Sequence, residues 1–234
     1  MLEAASKQKH LGASLHLRNN IYFLVLSRTD FDLEMIHRCL ELLSEVERSE
    51  GQKVLVTTGP GAKYFSTGFS LKAFSQSRMN TFLNIAEMQK LLIAFMTLNV
   101  PTFCVMSGNA QAGGLIMSLC HDYRILWATA KVALSEIDVN LSIGLGYAKI
   151  IHQTLGTQGF ERTFLGNKLN ATEAFDNGLV NGIYADEFEL ERHIYSFAKE
   201  FLRKSADRQG IKRMKLRLHA ETISTLENTC LSPE

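Results

Sequence analysis

Proline is scarce in this 234-residue sequence, with three residues in all, and no low-complexity tract or long linker divides it. Charge of one sign is missing too: 25 Lys+Arg stand against 24 Asp+Glu, a formal net charge of +1. That balance creates no whole-protein field to recruit nucleic acid or an anionic membrane. No apolar run is long enough to span a bilayer. The most apolar stretch, 91–106, is interrupted by Thr97, Asn99 and Pro101 and falls short of the roughly 20 residues a spanning helix needs. The four cysteines, Cys39, Cys104, Cys120 and Cys230, include no C-x-x-C pair and no histidine at zinc-ligand spacing, so no metal site is expected. Cys39, Cys104 and Cys120 lie in apolar runs and are read as reduced core residues. A phosphate loop, a G-x-S-x-G nucleophile elbow and a G-x-G-x-x-G fingerprint cannot be spelled from the chain.

What is present is a normal apolar fraction, 46%, enough for a substantial core and too much for general disorder. The segment 20–27 (NIYFLVLS) reads as a strand. Asp30 is expected to cap the helix that follows, whose Leu33, Ile36, Leu40, Leu43 and Val46 recur at three- and four-residue steps. KVLVTTG (53–59) reads as a strand buried on both faces, and GPGAKYFSTGFS as a glycine-punctuated loop. A long helix is predicted over 80–98, ended by Pro101, then a strand TFCVMSG (102–108) and the short strands YRILWA and KVALSE. A further helix over 144–155 stops at Gly156, and the chain is expected to be mostly helical after Lys168. Strands alternating with helices predict an α/β fold with right-handed crossovers.

Two loops share a design. FSTGFSL (65–71) carries Gly68 before Phe69 and Ser70, and GNAQAGGLIMSLC (108–120) runs Ala112-Gly113-Gly114 into an apolar helix. Glycine lets a ligand atom approach a backbone N–H closely, and two such donors aimed at one oxygen stabilise a developing oxyanion. The same glycines equally serve tight helix–strand packing. His121, beside Asp122, reads as a structural residue at a helix end. The basic stretch containing Arg203, Lys204, Arg208, Lys212, Arg213, Lys215 and Arg217 reads as a solvated face, with binding of a phosphate-bearing ligand as the alternative. The N-terminal segment, with Lys7, Lys9 and Arg18 against Glu3, reads as either an organelle transit peptide or a plain extension.

FSTGFSL followed some forty residues later by GNAQAGGLIMSLCHDYR, and then by ATEAFDNGLV (171–180), resembles the crotonase (enoyl-CoA hydratase/isomerase) superfamily, in that family's order and spacing. The resemblance runs from about residue 20 to 200. It implies an α/β fold, a crotonase-like spiral of ββα units with a C-terminal helical subdomain. The corresponding division is an extension over 1–19, a spiral core over 20–185 and a helical covering or oligomerisation region over 186–234. It also implies an acyl-CoA thioester as substrate rather than as cofactor, no separate cofactor, and a homotrimer or trimer-based oligomer. By family the location is mitochondrial or peroxisomal, although CLSPE is not a peroxisomal S-K-L tripeptide.

The resemblance maps the two oxyanion donors onto the backbone N–H groups of Phe69 and Gly113, and substrate contacts onto Gly68, Ser70, Lys72, Gly114 and Ile116. Hydratases of the family use two glutamates. Here the first of those positions is Ile116, which transfers no proton, and the second is Glu136 in KVALSEIDVNL. One carboxylate suffices for a 1,3-proton shift, so the pattern resembles the Δ3,Δ2-enoyl-CoA isomerases, with Glu136 as the catalytic base. Burial among Leu134, Ile137, Val139 and Leu141 is expected to raise the pKa of Glu136, whereas an exposed strand end shared with Asp138 would not. Other CoA-thioester chemistry (hydratase, thioesterase, decarboxylase) and a catalytically inactive structural subunit are the alternatives.

Overall fold

The computed structural model describes residues 12–61, 63–70, 78–163 and 165–229. The organising pattern is a repeated strand–strand–helix unit. The first unit runs β2 (Ile21–Leu26), β3 (Asp30–Phe31) and α1 (Leu33–Arg48). The second runs β4 (Val54–Thr58), β5 (Tyr64–Ser66), β6 (Gly68–Phe69) and α2 (Arg78–Thr97), and the third β7 (Thr102–Met106), β8 (Asn109–Gln111) and α3 (Gly113–Leu119). The fourth runs β9 (Tyr123–Trp127), β10 (Lys131–Ala133), a 3₁₀ turn (Ile137–Val139) and α4 (Leu145–Thr163). Then come β11 (Leu169–Asn170), α5 (Ala171–Asp176), β12 (Gly182–Tyr184), α6 (Glu187–Phe201), α7 (Arg208–Leu218) and α8 (Ala220–Thr229). The α/β spiral is the expected architecture.

Each unit sends its first strand to one sheet and its second to another. The six-stranded sheet has the order β1-β2-β4-β7-β9-β12, where β1 is Ala13–Arg18. All its pairings are parallel except β1 with β2. Parallel neighbours require long crossovers and bury both faces, which explains why VLVT of β4 and all of TFCVM in β7 are buried. Alternate residues divide between two cores. Leu55, Cys104, Met106 and Leu126 face the main core with α1, α2 and α3. Val54, Val56, Phe103, Val105 and Ile125 face Phe197 and Ala198 of α6, with the Phe103 and Phe197 rings stacked at 4.8 Å. The second sheet, β11-β10-β8-β5, is parallel from β10 to β5.

Several expectations are corrected. Residues 13–18, expected within an N-terminal extension, are an edge strand of the main sheet, because Ala13 to Arg18 pair in register with Leu26 to Ile21. Asp32, not Asp30, caps α1: its carboxylate accepts the Met35 N–H at 3.0 Å and is gripped by Arg28, while Asp30 sits in β3. The glycine-punctuated loop contains β5 and β6, and the C-terminal third includes β12. Helical geometry does break at Gly156, φ 64°, but a second helical segment follows at once.

The basic stretch is the largest departure. Arg208 reaches the C-terminal carbonyls of α1 (Val46, Glu47 and Ser49) and the Asn99 side chain, whose Oδ1 lies 2.6 Å away. Lys212 meets Glu47. Lys215 is buried at 7% exposure and donates to Asp122 (2.6 Å) and to the Val100 carbonyl (3.0 Å). These three cations fasten α7 to the core instead of forming a solvated face. Arg203, Lys204, Arg213 and Arg217 remain exposed.

Cys39, Cys104 and Cys120 are buried free thiols, as expected. His121 is structural. Its ring is buried between the Met117 carbonyl (3.1 Å) and the Thr57 hydroxyl (2.9 Å) and lies 4.4 Å from the Phe95 ring. Burial drives its pKa down to about 3. A histidine held neutral in the fold but free to protonate when unfolded weakens the fold as pH drops below about 6.5, progressively toward 3. Denaturant unfolding at pH 7 and pH 4.5 checks this: the stability lost on acidification is expected to shrink in His121→Asn, corrected for the variant's own destabilisation.

Candidate active site

The parallel strands β5, β8 and β10 release their chains at the same sheet end. β5 leads to Thr67-Gly68-Phe69, β8 to Ala112-Gly113, and β10 to Leu134-Ser135-Glu136. Carboxyl ends of parallel strands are where a fold of this class gathers loops around a ligand.

Gly68 and Gly113 are in close contact. A methyl group built on Gly68 would lie 2.7 Å from the Gly113 nitrogen and 3.3 Å from its Cα. Gly68 also has φ +83°, the left-handed region that favours glycine. On Gly113, a Cβ would lie 3.9 Å from the Phe69 nitrogen and 3.8 Å from the Phe69 ring. The Gly113 and Phe69 nitrogens therefore lie close together. The Ser70 N–H donates to Phe31 of β3 at 2.9 Å and so ties the end of β6 to β3. The Gly113 N–H belongs to the first residue of α3, where no intrahelical acceptor exists.

A polar frame holds this arrangement. The Ser66 hydroxyl donates to the Thr29 carbonyl (2.8 Å) and accepts the Gly68 N–H (3.1 Å), while the Ala112 N–H donates to Ala133 of β10 (2.9 Å). Gly114 serves packing: a Cβ there would strike the Ser66 side chain at 2.6 Å. Ser66 and Ala112 escape sequence reasoning, since neither residue type signals a bond pattern set by neighbouring strands.

Glu136 lies three residues beyond β10 and opens the 3₁₀ turn, rather than ending a strand. The turn is tied by Asp138 N–H to the Ser135 carbonyl and Leu141 N–H to the Glu136 carbonyl, and Asn140 closes it in left-handed geometry. The Glu136 carboxyl is half-buried, and its Oε2 is fully enclosed without a hydrogen-bond partner among the described residues. Burial pushes its pKa above the usual glutamate range, opposed by a bond from its own backbone. Asp138 is exposed. Ile116, one turn into α3, is 1% exposed within the main core. Lys72 lies outside the described residues.

Among the described residues, no three His, Cys, Asp or Glu side chains gather as a metal site, and no helix is long and apolar enough to cross a membrane. A surface depression of about 690 Å³ between α4 and the α7–α8 junction, lined in part by Lys149, His152 and Arg217, shares no residue with the strand-end cluster. Its Lys149 is 3.7 Å from Glu221, and its buried Thr222 hydroxyl donates to the Gln153 side chain at 3.0 Å.

The chain is 31% identical over 190 residues to enoyl-CoA delta isomerase 3 of Arabidopsis thaliana, covering 75% of this chain and 78% of that protein. It is 28% identical over 191 residues to the peroxisomal enoyl-CoA delta isomerase 2 of the same plant, with the same coverage. In structure it is similar to the apo enoyl-CoA isomerase of Mycobacterium tuberculosis, with a TM-score of 0.84 at 18% identity over 94% of this chain and 96% of that one. The sequence profile described as Enoyl-CoA hydratase/isomerase matches residues 20–230, and the chain belongs to that family.

Proposed function

We propose that the protein is a Δ3,Δ2-enoyl-CoA isomerase. The reading rests on one observation above the others: a half-buried glutamate with one enclosed, unpartnered oxygen follows β10, and the position that would carry a second carboxylate is the core residue Ile116.

In this reading the thioester oxygen accepts hydrogen bonds from the Phe69 and Gly113 N–H groups. They acidify the C2 proton and hold the dienolate that forms when it leaves. Glu136 takes that proton and returns it at C4, moving the double bond from C3–C4 to C2–C3 with no net change in atoms. A carboxyl with a raised pKa serves both halves of this cycle better than an ordinary one, since the acid it becomes is a stable intermediate state. Hydration instead calls for a second group to manage water, and Ile116 supplies none.

The test is direct. 3-Enoyl-CoA given to the purified protein is expected to yield 2-trans-enoyl-CoA, followed by absorbance, and 2-enoyl-CoA is expected not to be hydrated. Absence of isomerisation contradicts the reading, and rapid hydration replaces it with a hydratase. The kcat/KM profile is expected to fall on its acid side through a pKa above the ordinary glutamate value of 4.5, because protonated Glu136 cannot act as the base.

A further inference from the structure

Among the described residues, four non-glycine residues have positive φ. Three are asparagines, Asn19, Asn20 and Asn140, the residue type that tolerates left-handed geometry. The fourth is Ala112, and its φ of 48° and ψ of −132° lie outside the left-handed well as well. Strain of this kind persists only where surrounding contacts hold it, and here they are visible. The Ala112 N–H is bound to Ala133 of β10 at 2.9 Å, and its carbonyl accepts the Ile116 N–H at 3.1 Å, the first hydrogen bond of α3. The Ala112 methyl lies 3.2 Å from the point a Cβ on Gly68 would occupy.

One rotation relieves this strain. Turning the Ala112–Gly113 peptide over moves ψ of Ala112 into the left-handed well, and Gly113 accepts whatever φ results because it has no Cβ. The same turn breaks the Ile116 bond and swings the Gly113 N–H away from that of Phe69. The strain penalty and the net value of one backbone hydrogen bond are of the same order, so neither dominates.

We propose that Ala112 is a positioning residue whose strained backbone sets the fraction of the protein that presents the Gly113 N–H beside the Phe69 N–H. This rests on the reading that the two groups hold the thioester oxygen. Glycine at 112 removes the penalty of the strained conformation and shifts the population toward the paired state.

The experiment compares wild type with Ala112→Gly by thermal unfolding, by kcat and KM on 3-enoyl-CoA, and by hydrogen exchange of the peptide covering 109–119. Expected are a Tm higher by about 2–4 °C, kcat raised about threefold with KM little changed, and slower exchange in 109–119. A Tm increase with kcat and exchange unchanged makes the strain purely structural and overturns the proposal, as does a fall in kcat. If the wild type does not isomerise 3-enoyl-CoA, the isomerase reading fails. Exchange then decides alone: slower exchange upholds the two-state peptide and unchanged exchange overturns it.

Discussion

Glu136→Gln is expected to lower kcat for 3-enoyl-CoA isomerisation about 10³- to 10⁴-fold, at the upper end of what a positioned acid–base group contributes. The carboxamide has nearly the same shape but neither takes up the C2 proton nor delivers one to C4. The two backbone donors stay in place, so KM is expected to change little. The same variant is expected to be more stable at neutral pH. A carboxyl whose pKa is raised by folding binds its proton more tightly in the folded state than in the unfolded one. Between the unfolded value and the raised one, stability therefore falls as pH rises, and above both the fold bears the full penalty of an ionised, half-buried group. Glutamine removes that penalty, so its stability advantage is expected to disappear as pH falls to about 4. Parallel denaturant curves at pH 7.5 and pH 4 measure it. A site that is less stable than it could be, and loses activity when stabilised, is the usual mark of a functional group.

Gly68→Ala is expected to reduce kcat about 10²- to 10³-fold, the range for removing one donor from such a pair. The added methyl would lie 2.7 Å from the Gly113 nitrogen and 3.2 Å from the Ala112 Cβ, so backbone atoms must move, and they are the ones that carry the N–H. The positive φ of Gly68 adds a backbone penalty of about 1 kcal/mol. Gly178→Ala separates the two effects. Gly178 has φ +73° with nothing within 4 Å of an added Cβ, so that substitution expresses backbone strain alone. It is expected to lower Tm and leave kcat unchanged. Equal loss of activity in both variants would mean that global destabilisation, not obstruction of Gly113, explains Gly68→Ala.

Long periodic segments were legible in the sequence. The apolar steps of α1 and the continuous apolar runs of β4 and β7 report their own surroundings, because burial on one face or two is written into residue order. Most second strands were not, since β3, β5, β6 and β8 are two or three residues long and hold no measurable alternation; β10, within KVALSE, is the exception. The destinations of Arg208 and Lys215 were also hidden. A basic helix face looks the same in sequence whether it meets water or, as here, the end of α1 and the Asp122 carboxylate. At the site, the two glycine loops stood out in the sequence, while the choice of Glu136 came from the resemblance to the crotonase superfamily and not from its local residue pattern. The Ser66 hydroxyl bridge and the strained Ala112 depend on the relative placement of three strands, which no local pattern encodes.

The claim that one carboxylate carries the proton from C2 to C4 is tested most directly by label transfer. 3-Enoyl-CoA bearing deuterium at C2 is isomerised to low conversion in ordinary water, and the product is analysed by mass spectrometry and NMR. A single half-buried base predicts a measurable fraction of the deuterium at C4 of 2-trans-enoyl-CoA. No deuterium at C4, or accumulation of 3-hydroxyacyl-CoA, would contradict it.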